Sequence, residues 1–326
     1  MKKLLLFLQF IYCFTISYNQ VIKGTIVNKK TQNPIGYASI YFDGTLVGTK
    51  ADQNGNFTLD VSKYPSMPLT ISAVGYYSVL LNIFLTDKPT LISLEQKIYD
   101  IKEVVVSGKP LGKERKKNLK IFKNNFIGTT SNAKKCYILN EKDITFNYYA
   151  DIDTLKAFAS NPILIENRAL GYNLVFYLDK FEYYRKSKSF VFAGTILFNE
   201  NIAFKEQPKP YYDGKRKHAY LGSRMHFFRT LWSEDSVSTG FALKDSTNNR
   251  LSFKSIIKQD SIGQKYLKYK GKLGIDYYKS ESQILFLKEK FYFDKTGYFD
   301  PMGTRWSGEL TKRLIADWLP YEYTLE

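Results

Sequence analysis

Histidine and cysteine are almost absent from this 326-residue chain, which holds two of each. Cys13 falls in the apolar N-terminal stretch, so Cys136 is the one cysteine of the remainder. A single thiol excludes an intramolecular disulfide and a cysteine-based metal site, and Cys136 is expected to be a buried, inert small side chain. The histidines, His218 and His226, stand in "HAYL" and "HFFR". Neither makes an H-x-x-E pair and no third histidine exists, so the usual three-ligand zinc shell of a peptidase cannot be assembled. Also missing are a G-x-S-x-G nucleophile elbow, a glycine-rich phosphate loop and, past the N-terminus, any run of eighteen apolar residues. No metal and no cofactor are expected.

What is present begins with "MKKLLLFLQFIYCFTISYNQ". Lys2 and Lys3 precede thirteen largely apolar residues, Leu4 to Ile16, and the polar "SYNQ" follows. That is the layout of a secretory signal, too short for a comfortable membrane span. Residues 1–20 are therefore read as a signal peptide, and Tyr12 before Cys13 argues against lipoprotein processing. The mature chain is expected to be exported (periplasmic, outer-membrane associated or secreted) with no transmembrane span. Its charge is uneven. Residues 21–106 carry eight Lys or Arg against seven Asp or Glu, and residues 107–326 carry 38 against 24. In an exported protein such a surplus would meet an envelope protein, an anionic glycan or a lipid headgroup rather than nucleic acid. Solvated charge in a Lys-rich, Asn-rich chain gives the same composition.

"TKADQNGNFTLDV", Thr49 to Val61, spaces Asp52, Asn54 and Asn56 like oxygen ligands. A calcium loop of the EF-hand type needs Gly at its sixth position and Glu at its twelfth; here Gly55 is fourth and Lys63 twelfth. The flank "NFTLDV" alternates, with Phe57, Leu59 and Val61 on one face, which marks a half-buried strand. The segment is read as a β-hairpin turn in which Asp52 accepts backbone N–H groups and Gly55 supplies a positive φ. From Val21 to Val106 about seven short strands recur at roughly ten-residue spacing, among them "YASIYF", with Ala38, Ile40 and Phe42 inward, and "IKEVVV". That pattern suggests a seven-stranded antiparallel β-sandwich.

The series "GTIV", "NPIGYASIYFDGTLVGTKADQNGNF" and "LTISAVGY" resembles the carboxypeptidase regulatory-like domain, a transthyretin-like β-sandwich, over residues 21–106. The resemblance implies an accessory module attached to peptidases, TonB-dependent outer-membrane transporters and other envelope proteins, with no catalytic residues of its own. Residues 107–119, from "SGKPLGKERKKNLK", read as a basic linker that enters a short helix from Lys113 through Phe126. Residues 120–326 form a larger β-rich domain with one or two short helices. Ser223 is a candidate N-cap for a helix bearing Phe227, Phe228, Leu231 and Trp232. Asp294, Gly297 and Phe299 repeat the offsets of Asp52, Gly55 and Phe57. "FIGTTSNAKKCYILN" and "RWSGELTKRLIADWLPYEY" are similar to the C-terminal region of uncharacterised exported envelope proteins that carry the same module, which implies compartment but no mechanism.

The fold class is thus mainly β in two domains. The best place to look for binding is the cluster Arg224, His226, Arg229, Arg305, Trp306, Arg313 and Asp317, because Arg and Trp suit anionic glycans and partner surfaces. Ion pairing around helix ends and a core Trp explain the same residues without a ligand. The reading that follows is an exported, non-catalytic binding or assembly protein of a Gram-negative envelope. The alternatives are an envelope hydrolase using His226 and an accessory of an outer-membrane TonB-dependent transporter.

Overall fold

A computed structural model describes residues 20–64, 67–82, 89–97, 111–200, 207–261, 263–300 and 303–325. The signal segment, the expected strand at "IKEVVV" and residues 107–110 of the linker lie outside the described residues.

Seven strands come first: β1 (Val21–Asn28), β2 (Ser39–Phe42), β3 (Gly48–Lys50), β4 (Asn56–Asp60), β5 (Leu69–Ser72), β6 (Val79–Leu81) and β7 (Thr90–Leu94). They form two sheets, β4-β1-β7 and β3-β2-β5-β6. Ile26, Ile40, Phe42, Phe57, Leu59, Ile71, Ile92 and Leu94 belong to one apolar core. The pairing is antiparallel except between β1 and β7, which run parallel. In β4 Phe57 and Leu59 are buried while Asn56, Thr58 and Asp60 are exposed, as the alternation requires. The Asp52 turn is real, but it is not a two-strand hairpin. It joins β3 and β4, which pair in different sheets.

The carboxylate of Asp52 is consumed by that turn. Its Oδ1 accepts the N–H groups of Asn54 and Asn56, each at 2.8 Å, and Asp52 N–H closes the loop on Asn56 O. Gly55 takes φ 76°, and a Cβ there would meet Ile26 O at 2.5 Å. Asp245, Asp260 and Asp294 each close the same backbone loop to the residue four places on, and each Oδ1 accepts that residue's N–H. One local solution has been used four times, with Gly55, Asn248, Gly263 and Gly297 at the positive-φ position.

The chain continues with α1 (Leu111–Phe126), which begins two residues before the helix expected from Lys113 and ends where expected, so the basic residues from Lys113 onward are helical. Next come β8 (Cys136–Ile138), β9 (Ile144–Tyr149), β10 (Thr154–Ala159), β11 (Ile163–Asn167), β12 (Tyr172–Tyr184) and β13 (Ser189–Asn199). These make a six-stranded antiparallel sheet in the order β8-β11-β12-β10-β9, with β13 beside β12. Along β12 the inward residues are Tyr172, Leu174, Phe176 and Leu178. A bulge between Leu178 and Lys180 then shifts the register by one, which returns Phe181 to the buried face. Phe122 and Phe126 of α1, one turn apart, pack on Phe181 and Phe176 at 4.7 and 4.9 Å between ring centroids. Each buried ring stabilises the layer by about 1.5–3 kcal/mol. Cys136 is buried in this core as expected.

Among the described residues, four helices and a last group of strands follow: α2 (Lys209–Tyr220), α3 (Arg224–Ser233), α4 (Ser236–Thr239), β14 (Phe241–Lys244), β15 (Arg250–Leu251), α5 (Phe253–Ile256), β16 (Ile257–Gln259), β17 (Lys265–Leu267), β18 (Lys272–Tyr277), β19 (Ser280–Phe286), β20 (Phe291–Tyr292) and β21 (Thr304–Gly308). Ser223 caps α3 by accepting His226 N–H, and Phe227, Phe228 and Leu231 face the core of the β15-β14-β18-β19-β21 sheet.

The first sheet pair docks on the six-stranded sheet rather than hanging from it. Every residue of β2 and β5 is buried, on both faces. Their outer hydroxyls meet β12 and β13: Tyr41 Oη lies 2.5 Å from Thr195 Oγ1 and 3.1 Å from Ser72 Oγ, and Tyr177 donates to Ser39 Oγ at 2.7 Å. Asp43 and Gly44 then clamp the open edge of β13. Asp43 Oδ1 accepts Ile196 N–H at 2.7 Å while Gly44 N–H donates to Ile196 O at 2.8 Å. The C-terminal segment locks the joint, with Tyr321 N–H donating to Gly44 O and Glu322 Oε1 accepting Leu46 N–H.

Candidate functional site

Seven residues were singled out in the sequence, and most of them hold the fold. Arg229 spends its whole guanidinium on backbone carbonyls: Thr296 O at 2.8 Å, Tyr323 O at 2.6 Å and Tyr321 O at 2.9 Å. It fastens the C-terminal segment and the Asp294 turn to α3. Arg224 donates to Leu310 O and lies over the Trp306 ring at 5.6 Å. Trp306 itself packs against Phe227, Phe228 and Phe299. Arg305 is exposed on β21 opposite Leu285 and does not join the cluster.

His226 is buried, and its Nδ1 accepts Gly222 N–H at 3.1 Å. That bond places the ring proton on Nε2. Tyr220, Phe241 and Tyr277 surround the ring at 4.8, 5.0 and 5.8 Å. Burial, reinforced by Arg229 and Arg313, lowers its pKa to about 4. It is neutral at physiological pH, and its one basic nitrogen is already engaged.

Arg313 and Asp317 are the two members that line a cavity. Arg313 Nη1 donates to His218 O and Ala219 O at the end of α2, and burial lowers its pKa. Asp317 accepts Thr130 Oγ1 and Asn132 Nδ2, both at 2.8 Å. Between them lies a cavity of about 230 Å³. It is lined by Thr130, Ser131 and His218, by Tyr277, Ser280 and Ser282 of β18–β19, and by Glu309, Leu310 and Lys312. Ser282 Oγ already accepts Leu310 N–H at 2.9 Å, and Lys312 pairs with Glu309. No sequence signal points to this lining, because Thr130, Ser280 and Lys312 come from three distant segments with no shared spacing.

Among the described residues no group of three or more His, Cys, Asp or Glu converges to hold a metal ion, and no helix is long and apolar enough to cross a membrane.

No curated protein matches the chain. A protein of unknown function from Bacteroides fragilis, proposed to be membrane-associated, aligns over 88% of this chain and 92% of its own. The two share 12% identity with a TM-score of 0.19. The family model of the CarboxypepD_reg-like domain matches residues 22–106, the span that holds β1–β7, and the chain therefore carries a domain of that family.

Proposed function

We propose that the protein is an exported, non-catalytic binding protein of the cell envelope, with the cavity beside His218 as its ligand site. The observation that supports this most is the make-up of the cavity wall. Ser131, Ser280 and Tyr277 contribute hydroxyls, and Lys312 and Arg313 contribute positive charge, around about 230 Å³ of space. Hydroxyls both donate and accept, and Glu309 and Asp317 in the same wall balance Lys312 and Arg313, so the wall suits a small polyhydroxylated ligand such as a single sugar or sugar acid. The volume is below the usual ~300–1,000 Å³ of small-molecule sites, which limits the ligand to one ring. Catalysis through His226 is disfavoured because its Nδ1 is committed to Gly222. Export rests on the N-terminal segment, and service to an outer-membrane transporter is a narrower form of the same binding role.

Thermal unfolding with glucuronate tests the reading. A ligand at ten times its Kd stabilises the folded state by about 1.4 kcal/mol, so the midpoint should rise for the native sequence. It should not rise for Ser280→Leu, which fills the cavity. Absence of any rise across a panel of sugar acids rejects the site. Turnover of a chromogenic ester or glycoside that His226→Gln abolishes would replace binding with hydrolysis.

A further inference from the structure

We infer that the edge of the six-stranded sheet at β8, with the adjoining face of α2, is a docking surface for a membrane carrying anionic headgroups. Cys136 and Ile138 turn into the core, which sends Tyr137 outward, and Leu139 follows on the same face. Tyr137 is 44% and Leu139 62% exposed, and Leu164 beside them on β11 is 41% exposed. Leu139 N–H donates to Leu164 O, so the two leucines are cross-strand neighbours. Three large apolar side chains in water on one sheet edge call for a partner surface.

The charge around them identifies that surface. Arg168 lies over the Tyr137 ring at 5.1 Å. Lys135 Nζ donates to Tyr211 Oη at 3.0 Å, and Lys215 approaches the same ring from α2 at 6.0 Å. Lys134, Lys135 and Arg168 are all exposed. Against these cations stand Glu166, paired with Arg168, Asp213, paired with Lys209, and Asp143, held by Asn140 next to Leu139. Leucines and tyrosines flanked by Lys and Arg match a bilayer interface: the apolar groups enter the acyl boundary, tyrosine sits at headgroup depth, and cations meet phosphate. Each Lys or Arg near an anionic leaflet contributes about 1 kcal/mol, so this cluster gives reversible, salt-sensitive association.

The test is flotation of the protein with vesicles of phosphatidylcholine alone and with about 30% phosphatidylglycerol added to give an anionic surface. The protein should float with the anionic vesicles and not with the neutral ones. Lys134→Glu with Lys135→Glu should reduce binding at least ~10-fold, and Leu139→Ser several-fold. Lys186→Glu with Lys188→Glu, on the distant β12–β13 turn, should leave it unchanged. Circular dichroism on each variant shows that the fold persists, and sugar-acid titration of the patch variants separates this surface from the cavity. Equal binding to neutral vesicles, or indifference to the Lys134 and Lys135 changes, overturns the proposal. Retention on an anionic polysaccharide column without vesicle binding also overturns it, and assigns the patch to a glycan.

Discussion

Replacing Asp43 by Asn should remove a component of stability that declines as pH rises from about 4 to 7. Asp43 sits in the joint between the two sheet systems, where its Oδ1 accepts Ile196 N–H. Burial is the main cause that raises its pKa from the ordinary 3.8 to about 7; the Asp179 carboxylate adds to the rise, and the Ile196 bond opposes it. Lys97 pairs with Asp179. A carboxyl with a raised folded pKa keeps its proton between pH 4 and 7, where the unfolded chain has lost it. Its contribution is therefore complete below pH 4 and declines as pH rises to 7. At about 1.4 kcal/mol per pH unit the full span is about 4 kcal/mol; residual solvent contact at the residue reduces this to about 2–4 kcal/mol. His226, with its pKa lowered to about 4, acts in the opposite sense between pH 4 and 6.5, so only the difference between variant and native protein isolates Asp43. Asn keeps the acceptor for Ile196 and removes the titration. Urea unfolding of residues 20–326 at pH 5, 6, 7 and 8 should show the variant gaining on the native protein as pH rises. Parallel profiles would refute the enclosed, proton-holding carboxyl.

Tyr41→Phe removes the hydroxyl shared with Thr195 and Ser72 and should cost about 1–3 kcal/mol, measured by denaturant unfolding. Gly44→Ala meets both a φ of 75° and the Tyr321 ring 2.6 Å from the new Cβ, so protease sensitivity of the C-terminal segment should rise with a loss of about 1–3 kcal/mol. Arg229→Lys cannot reach three carbonyls in a fork; carboxypeptidase digestion should trim Tyr323 and beyond faster than in the native protein. Asp52→Ala should cost about 1 kcal/mol, and calcium should leave the melting curve of the native protein unmoved, because the carboxylate is taken by Asn54 and Asn56 N–H.

Local chemistry was readable in the sequence where one segment decides it alone. The Asp52 turn, the Phe57–Leu59–Val61 face and the Ser223 cap each rest on residues within a few positions of one another. Properties set by distant partners were not readable. In β2 the sequence shows Ile40 and Phe42 as inward, but Ser39 and Tyr41 are equally buried because β12 and β13 cover them. Helix α2 escaped because it begins after Pro208, contains Pro210 and Gly214, and places Arg216 among its buried residues. Arg216 is held there by Leu170 O and the Tyr172 ring, partners that no periodicity reveals. The candidate cluster divided for a related reason, Arg313 and Asp317 lining the cavity while others hold the fold. Arg and Trp were chosen as binders, yet a buried guanidinium matches backbone carbonyls as well as it matches a ligand, and Arg224 and Arg229 do the former.

Binding without turnover at the cavity is tested most directly by titration calorimetry with glucuronate, followed by proton NMR of the same ligand after hours of incubation. The expected result is a saturable single-site isotherm, lost in Ser280→Leu, with every ligand resonance unchanged. No saturable heat with any sugar acid, or new product resonances that depend on the protein, would contradict it.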